Sequence, residues 1–367
     1  MRIKLANVRV YLYDRLERQD ILLNNGKIER VGKVDDSSAD KVYDLRDEIL
    51  IPFPIDLHTH IYYGATSLGV DPEFVIRKSG SMTLVDAGSS GAGNFLGFRR
   101  YIVERLKNIR IYAFLNVAFA GIPFFMEKRQ FSDIPDIEAA DVEACRAVIK
   151  DNRDVIVGVK VRLSNDANGE FGVELLKRAK ECARPFNLPV MVHFGIPPPY
   201  LDDIIPYLEK GDILTHSFRP EPNSIVGKIK ELKRKGVIID VGHGRGSFSF
   251  VIAKRVIEDE GEIPNTISTD LHRYDIPLPV SDLYITMSKF LNLGIDLIDV
   301  LKAVTINPAK AINIPLSSPD RAEFIAIELV EGKRFKFYDA EGKKLEGSKL
   351  IMPKVEIMGE NIRLISE

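Results

Sequence analysis

The middle of the chain alternates between short apolar runs and longer amphipathic stretches, and this alternation limits the folds it can form. The eight strand-like runs are residues 49–57, 82–87, 110–117, 155–161, 189–194, 212–215, 237–241 and 266–269. The helical patterns are residues 98–107, 136–150, 173–183, 200–209, 224–235, 248–258 and 281–292. Strands that alternate with helices form parallel βαβ units, and eight of them predict an α/β fold of the (β/α)8 TIM-barrel type. The alternative is an open doubly wound sheet, but its G-x-G-x-x-G fingerprint is missing from the first strand-to-helix turn.

Both ends of the chain have a different sequence pattern, with short strand candidates and few helical patterns. The strand candidates are residues 3–10, 20–23, 28–31, 324–329, 334–338 and 350–357, with turns at 24–26, 331–332 and 341–342. Asn-Gly at the first of these turns is a strong hairpin signal. We expect the two ends to pair as a small β-sandwich domain of residues 1–48 plus 315–367, beside a barrel of residues 49–314.

The charge balance and the apolar runs exclude several classes of protein. Lys plus Arg is 51 and Asp plus Glu is 53, so the formal net charge of -2 predicts no nucleic-acid partner. No run approaches the roughly 18 apolar residues of a membrane span. The first ten residues carry three basic side chains and no continuous apolar stretch, so we expect no signal peptide. With only two cysteines, Cys145 and Cys182, the sequence predicts a cytoplasmic protein without a disulfide framework.

The histidines follow the ends of the predicted strands. His58 and His60 end the first strand, His193 ends the fifth, His216 ends the sixth and Asp270 ends the eighth. In a barrel the carboxyl ends of the strands converge on one site, and alternation puts both residues of H-x-H on one face. Imidazoles and a carboxylate are suitable ligands for first-row metals, so this pattern predicts a metal site.

Lys160 lies inside the fourth apolar run, where an ammonium group is costly unless its charge is paired or removed. Taken alone, such a lysine most often extends its head group out at the strand end. Beside the histidine pattern, it suggests a role at the metal site.

This constellation of H-x-H, Lys, His, His and Asp on successive strands resembles the amidohydrolase superfamily of metal-dependent hydrolases. Residues 305–311 also look like the family's segment after the barrel, and a terminal β-domain is usual in it. The sequence departs from the family at residues 52–54, where Pro-Phe-Pro replaces the frequent Pro-Gly. This changes the entry to the strand but no predicted ligand.

The resemblance implies a binuclear site with two divalent metal ions. Zinc is the expected metal, and Mn, Co, Fe and Ni stay open, because histidine and carboxylate ligands do not select sharply among them. Lys160, carboxylated by CO2, would bridge the two ions as a cofactor group. His58, His60 and Asp270 would hold one ion, and His193 and His216 the other. The closest likeness is to the deacetylase-like or dihydroorotase-like branch.

The expected reaction is hydrolysis of an amide, a cyclic amide or an acyl ester in a small-molecule substrate. The implied nucleophile is a hydroxide shared by the two metal ions. Asp270 is the expected proton shuttle, since a carboxylate there can take a proton at attack and return it to the leaving group. A homo-oligomer is common in the family, so the resemblance leaves this assembly open, and the sequence itself does not indicate the oligomeric state.

Three further residues are candidates for contacting the substrate. His243 and Arg245 lie in a glycine-rich loop after the seventh strand, where glycines let the backbone approach a ligand closely. His243 is predicted to donate a hydrogen bond to the substrate carbonyl, with a catalytic role, and Arg245 to bind a carboxylate. His272, two residues after Asp270, is predicted to line the pocket.

Two alternative functions remain open at this point. A cyclic amidase such as a dihydroorotase or hydantoinase is one, although Ile61, Tyr62 and Tyr63 stand where an arginine is expected just after H-x-H. A deaminase is disfavoured by Lys160. The other alternative is a catalytically silent scaffold, but such proteins normally lose metal ligands and this chain keeps all of them.

Overall fold

The computed structural model describes residues 1–12, 14–122, 125–126, 129–130, 133–168, 171–318 and 321–365. Within these ranges, no helix is both long and apolar enough to cross a membrane. The predicted small domain includes residues 13, 319–320 and 366–367, which lie outside the described residues.

The strands form a sheet built from both chain ends, a parallel sheet in the middle of the chain, and a short ribbon. They are β1 (Arg2–Tyr11), β2 (Leu16–Asn24), β3 (Lys27–Gly32), β4 (Lys41–Asp44), β5 (Ile49–Pro52), β6 (Ile55–Thr59), β7 (Thr83–Gly91), β8 (Arg110–Asn116), β9 (Phe125–Met126), β10 (Arg129–Gln130), β11 (Ile156–Leu163), β12 (Val190–Phe194), β13 (Ile213–Thr215), β14 (Ile238–Ile239), β15 (Glu323–Tyr338), β16 (Lys344–Met358) and β17 (Asn361–Leu364).

The terminal sheet has the order β17-β16-β15-β5-β1-β2-β3, with β4 paired to β1. Asn25 and Gly26 both take positive φ angles in the β2–β3 hairpin, as a type I′ turn requires. The turn predicted at residues 331–332 is wrong, because Glu331 pairs with Lys349 inside the long strand β15 and the residues between Glu331 and Phe335 form a bulge in that strand. The mixed sheet from the two termini is the sandwich-like domain that the sequence predicts.

The middle of the chain forms a curled parallel sheet in the order β6-β7-β8-β11-β12-β13-β14. The eighth predicted run does not pair along its whole length. The segment from Thr266 to Leu271, two residues longer than this run, closes the barrel through two isolated bridges, Asp240 to Thr266 on one side and Thr59 to Leu271 on the other. The (β/α)8 architecture is therefore confirmed, with an irregular eighth position.

The first predicted run, residues 49–57, is split between the two sheets. Ile49–Pro52 pairs with β1 and β15 in the terminal sheet, and Ile55–Thr59 is the first barrel strand. Pro52 and Pro54 lie at the break, because proline supplies no N–H to continue a ladder. The domain boundary after residue 48 stays a prediction. The terminal sheet itself extends four residues beyond it, to Pro52.

The helices lie between the barrel strands or after them in the chain. They are α1 (Pro72–Ser79), α2 (Phe95–Phe98), α3 (Val142–Asp151), α4 (Asn165–Asn168), α5 (Gly172–Ala183), α6 (Leu201–Ile204), α7 (Ile229–Arg234), α8 (Phe250–Lys254), α9 (Leu283–Asn292), α10 (Leu297–Val304) and α11 (Ile306–Ala311). Aspartate caps begin three of them: Asp71, Asp141 and Asp282 accept a backbone N–H from the first turn. Cys145 and Cys182 are buried, unpaired thiols on α3 and α5.

Several helices are shorter than their patterns predict. The pattern at 224–235 gives only Ile229–Arg234, because Gly227 before it takes a left-handed φ of 79°. The pattern at 98–107 becomes the end of α2 followed by a π-helical turn, Arg99–Val103.

Candidate metal centre and active-site cavity

A cavity of about 220 Å³ opens at the carboxyl ends of the barrel strands. All six side chains predicted as metal ligands line it: His58, His60, Lys160, His193, His216 and Asp270. The structure therefore brings together residues that are up to 212 positions apart in the sequence, as the barrel geometry requires.

Asp270 lies at the centre of this group. Its Oδ1 is 3.1 Å from His58 Nε2 and 3.1 Å from His60 Nε2. Lys160 Nζ is 3.2 Å from the same His58 Nε2. Ligand atoms of His58, His216 and Asp270 all lie within 4.8 Å of one another, a spacing that one metal ion could bridge.

His193 and His216 continue the cluster. Their ring centroids are 4.3 Å apart, and the His216 ring is 4.9 Å from the His58 ring. His216 and Asp270 also have left-handed backbones, with φ of 63° and 53°. Such angles are strained for residues other than glycine and concentrate at functional sites.

Hydrogen bonds at the far side of the rings fix their tautomers. Thr215 Oγ1 donates to Asp240 at 2.7 Å and so accepts from His58 Nδ1 at 2.8 Å. His216 Nδ1 donates to the Gly242 carbonyl at 2.7 Å. In both rings Nε2 is left unprotonated, which is the arrangement that metal-ligating histidines show. The residues present therefore fit a divalent metal ion.

Burial sets the protonation of the cluster. It lowers the pKa of His58 and His193 well below the ordinary value, and that of His216 to about 3. It also lowers the pKa of Lys160 to about 7. Burial acts to raise the pKa of Asp270, but His58 and His60 hold it below the usual range. Neutral imidazoles and an ionised carboxylate are the forms that ligate metals.

Buried carboxylates that the sequence analysis missed support the ligands. Asp56 accepts the Thr269 backbone N–H at 3.0 Å and the Thr269 hydroxyl at 2.6 Å, so it ties the segment carrying Asp270 to β6. Burial raises the pKa of Asp56 to about 7. Asp86 accepts from Ser89 N, and the Ser89 hydroxyl is 2.9 Å from His60 Nδ1. The sequence feature that could have identified these carboxylates is an acidic residue inside an apolar strand, such as Asp56 two positions before His58.

The predicted substrate-contacting residues differ in their positions. Arg245 and His272 line the cavity, and Arg245 donates to the Tyr274 carbonyl at 2.7 Å. Burial lowers the pKa of His272 to about 4. His243 is 0% exposed, is not among the described residues that line the cavity, and has both ring nitrogens within hydrogen-bond distance of protein atoms. Its predicted contact with the substrate carbonyl has no support in this placement.

Two arginines that the sequence analysis missed also line the cavity. Arg162 lies two residues after Lys160 on β11 and pairs with Asp133 at 2.6 Å. Arg219, three residues after His216, donates to the Phe194 carbonyl at 2.6 Å, and burial lowers its pKa to about 10. The i,i+2 spacing from Lys160 could have identified Arg162, since alternation puts both on one strand face.

Comparison with known proteins identifies the family. The model of the amidohydrolase family matches residues 49–318. A protein of Brucella anthropi named deacetylase is 36% identical over 353 residues, covering 93% of this chain and 86% of that protein. A crystal structure described as a dihydroorotase superposes with a TM-score of 0.90 at 34% identity, covering 100% of this chain and 98% of that one. An adenine deaminase structure superposes with a TM-score of 0.87 at 26% identity, covering 99% of each chain.

The barrel and its histidine–aspartate cluster define a class of barrel enzymes that typically depend on metal ions. The chain belongs to the amidohydrolase family. It is a hydrolase that acts on carbon–nitrogen bonds other than peptide bonds. The resemblance noted from the sequence is therefore confirmed, while the role of each site residue stays a prediction.

Proposed function

We propose that this hydrolase is a metal-dependent deacetylase-like enzyme that cleaves an amide or acyl ester of a small molecule. The observation that carries the proposal is the convergence of His58, His216 and Asp270, with their ligand atoms within 4.8 Å of one another. The relatives named deacetylase support this substrate class.

We propose that the site holds two divalent ions, with zinc as the expected metal. His58, His60 and Asp270 would hold one ion, His193 and His216 the other, and carboxylated Lys160 would bridge both. Ions bound there would lower the pKa of water and polarise an acyl carbonyl. Burial lowers the pKa of Lys160 to about 7, so a sizeable fraction of this amine is unprotonated near neutral pH. This suits carboxylation, because only an unprotonated amine can react with CO2.

Asp270 is proposed to move the proton of the reaction. Its Oδ1 lies 3.1 Å from both His58 Nε2 and His60 Nε2, at the middle of the predicted ligands, where a carboxylate could accept a proton from the attacking water. It would then return this proton to the nitrogen or oxygen that leaves. Oδ1 contacts His58 and His60 and Oδ2 lies beside Gly244, and positioning of a catalytic group by such contacts contributes much of an enzyme's rate.

The cationic lining supports a substrate that carries a carboxylate. Arg162, Arg219 and Arg245 line the cavity together with His272. Arginine binds carboxylates through a planar fork of N–H groups. We propose that Arg245 binds this carboxylate and that His272 contributes to the wall of the pocket.

The first experiment measures metal content and turnover together. Protein purified without chelators is expected to hold about two equivalents of metal and to hydrolyse N-acyl or acyl-ester substrates. Asp270→Asn should keep much of the metal, since the amide oxygen can still ligate, and lose at least ~10²-fold in kcat. Asp299→Asn is the matched control, because this partly exposed aspartate on α10 pairs with Lys302 and is not among the described residues that line the cavity. Unchanged turnover in Asp270→Asn would remove the proposed role, and a metal-free, inactive wild type would favour the silent scaffold.

A cyclic amidase is the second candidate, favoured by the superposition with the dihydroorotase structure. Against it, the residues just after H-x-H are Ile61 and Tyr62, both buried, with the Tyr62 hydroxyl donating to the Asn94 carbonyl. A screen of dihydroorotate and hydantoins beside N-acyl substrates separates the two candidates.

A further inference from the structure

We propose that Lys289 and His243 form a positioning pair that holds two metal-ligand residues, His216 and Asp270, in place. The proposal rests on the proposed function. It gives His243 a role behind the cavity wall instead of at the substrate, and it assigns a role to a lysine outside the predicted ligand set.

Lys289 is a buried lysine whose contacts are unusual. It lies on α9 and is 0% exposed. Its Nζ is 2.7 Å from His243 Nε2 and donates to the Pro279 carbonyl at 2.7 Å, so both contacts are to neutral groups. Asp275, Asp282 and Asp339 act on Lys289 electrostatically, but none of them forms an ion pair with it among the described residues. Burying an amine whose hydrogen-bond acceptors are both neutral is costly.

His243 is held on both nitrogens and on one face of its ring. Nδ1 donates to the Gly244 carbonyl at 2.9 Å, which leaves Nε2 to accept from Lys289. The ring also stacks on Phe248, with centroids 4.4 Å apart and planes at 30°. Lys289 therefore selects the tautomer of His243 that can donate to Gly244.

The turn at residues 242–244 connects this pair to the site. The Gly242 carbonyl accepts from His216 Nδ1 at 2.7 Å and so fixes the tautomer of that ring. Gly244 packs against Asp270 so closely that an added Cβ would lie 2.3 Å from Oδ2. One three-residue turn therefore contacts two predicted ligands from behind, and His243 is its middle residue.

A shift of this turn would change both ligands together. Without the donor from Lys289, His243 Nε2 is left as a buried acceptor, and the ring can exchange tautomers and lose its bond to Gly244. Groups that orient metal ligands typically contribute 10–100-fold in metal affinity or activity. If Lys289 only filled space, its removal would change stability and leave the metal site unaltered.

The test measures metal affinity directly, in the full chain. Zn²⁺ dissociation constants are determined by competition with a chromophoric chelator, and Co²⁺-loaded protein gives a d–d absorption spectrum that reports ligand geometry. The variants are Lys289→Met, His243→Gln and His243→Asn. Asparagine can place an amide N–H near the position of Nδ1, whereas glutamine places its amide near that of Nε2. The control is Lys4→Met, which removes a buried lysine from the terminal sheet, where it pairs with Asp20 and Asp36.

We expect Lys289→Met and His243→Gln to weaken Zn²⁺ binding by ~10–100-fold and to shift the Co²⁺ bands. His243→Asn should recover most of the affinity, and Lys4→Met should bind Zn²⁺ as the wild type does. Wild-type affinity and an unchanged spectrum in Lys289→Met would overturn the positioning role, whatever its unfolding temperature. If that variant does not fold, His243→Gln decides by the same criterion. A wild type that binds neither ion would instead refute the proposed function itself, and the positioning role with it.

Discussion

Replacing Gly244 with alanine should disable the enzyme while leaving it folded. The new Cβ would lie 2.3 Å from Asp270 Oδ2, whereas ordinary contact begins at 3.4 Å, so the carboxylate or the turn must move by about 1 Å. A misplacement of about 1 Å at a reacting group costs on the order of 10²-fold in rate, or about 2.7 kcal/mol of transition-state stabilisation. The left-handed φ of 50° adds about 1–2 kcal/mol of backbone strain to the folded state.

The assay compares kcat/KM for the best acyl substrate with the free energy of unfolding in urea. Gly261→Ala is the matched control, because Gly261 has a φ of 69° and no atom within 4 Å of an added Cβ. Gly261→Ala should lower the free energy of unfolding by the backbone strain alone and leave kcat/KM unchanged. Activity in Gly244→Ala within threefold of the control would refute the reasoning that the turn positions Asp270.

Two further predictions follow from the cavity and its charges. Arg245→Ala should raise KM by roughly 10-fold or more for carboxylate-bearing substrates and leave the KM of neutral analogues unaffected. The control is Arg255→Ala, which changes an exposed arginine beside Glu221. An unchanged KM of Arg245→Ala for carboxylate-bearing substrates would exclude the carboxylate contact. In chelator-treated protein, the free energy of unfolding should fall as the pH drops from about 6.5 towards about 3. Burial lowers the pKa of His216 to about 3, so in that window the unfolded chain takes up the proton and the folded chain does not. Urea unfolding at several pH values tests this, and His216→Gln should reduce the slope.

The barrel and the ligand cluster could be predicted because both depend on local periodicity. Alternating strand and helix patterns predict parallel βαβ units, and the ends of parallel strands share one face. Six polar side chains placed at or near those ends therefore had to meet. The resemblance to a known family added the assignment of Lys160, which its place in an apolar strand alone left ambiguous.

What the sequence could not predict depends on contacts between distant segments. The split of residues 49–57 needs β15 as a partner, and no local pattern shows which sheet a buried run will join. His243 looked like a substrate contact because its loop is rich in glycine. Only the folded chain shows that those glycines let the turn approach His216 and Asp270 instead of a ligand, and that Lys289 lies beside the ring.

The arrangement of the terminal sheet has a consequence for the synthesis of the chain. Strand β5 enters the barrel directly, yet one of its two neighbours is β15, which begins 271 positions after Pro52. At roughly 5–20 residues per second, ribosomes need on the order of 15–55 s to make that partner. During this time β1 covers only one edge of β5, and the other edge presents unpaired N–H and C=O groups. The barrel is therefore synthesised while one edge of β5 is still unpaired, and this edge is covered only when β15 has been made.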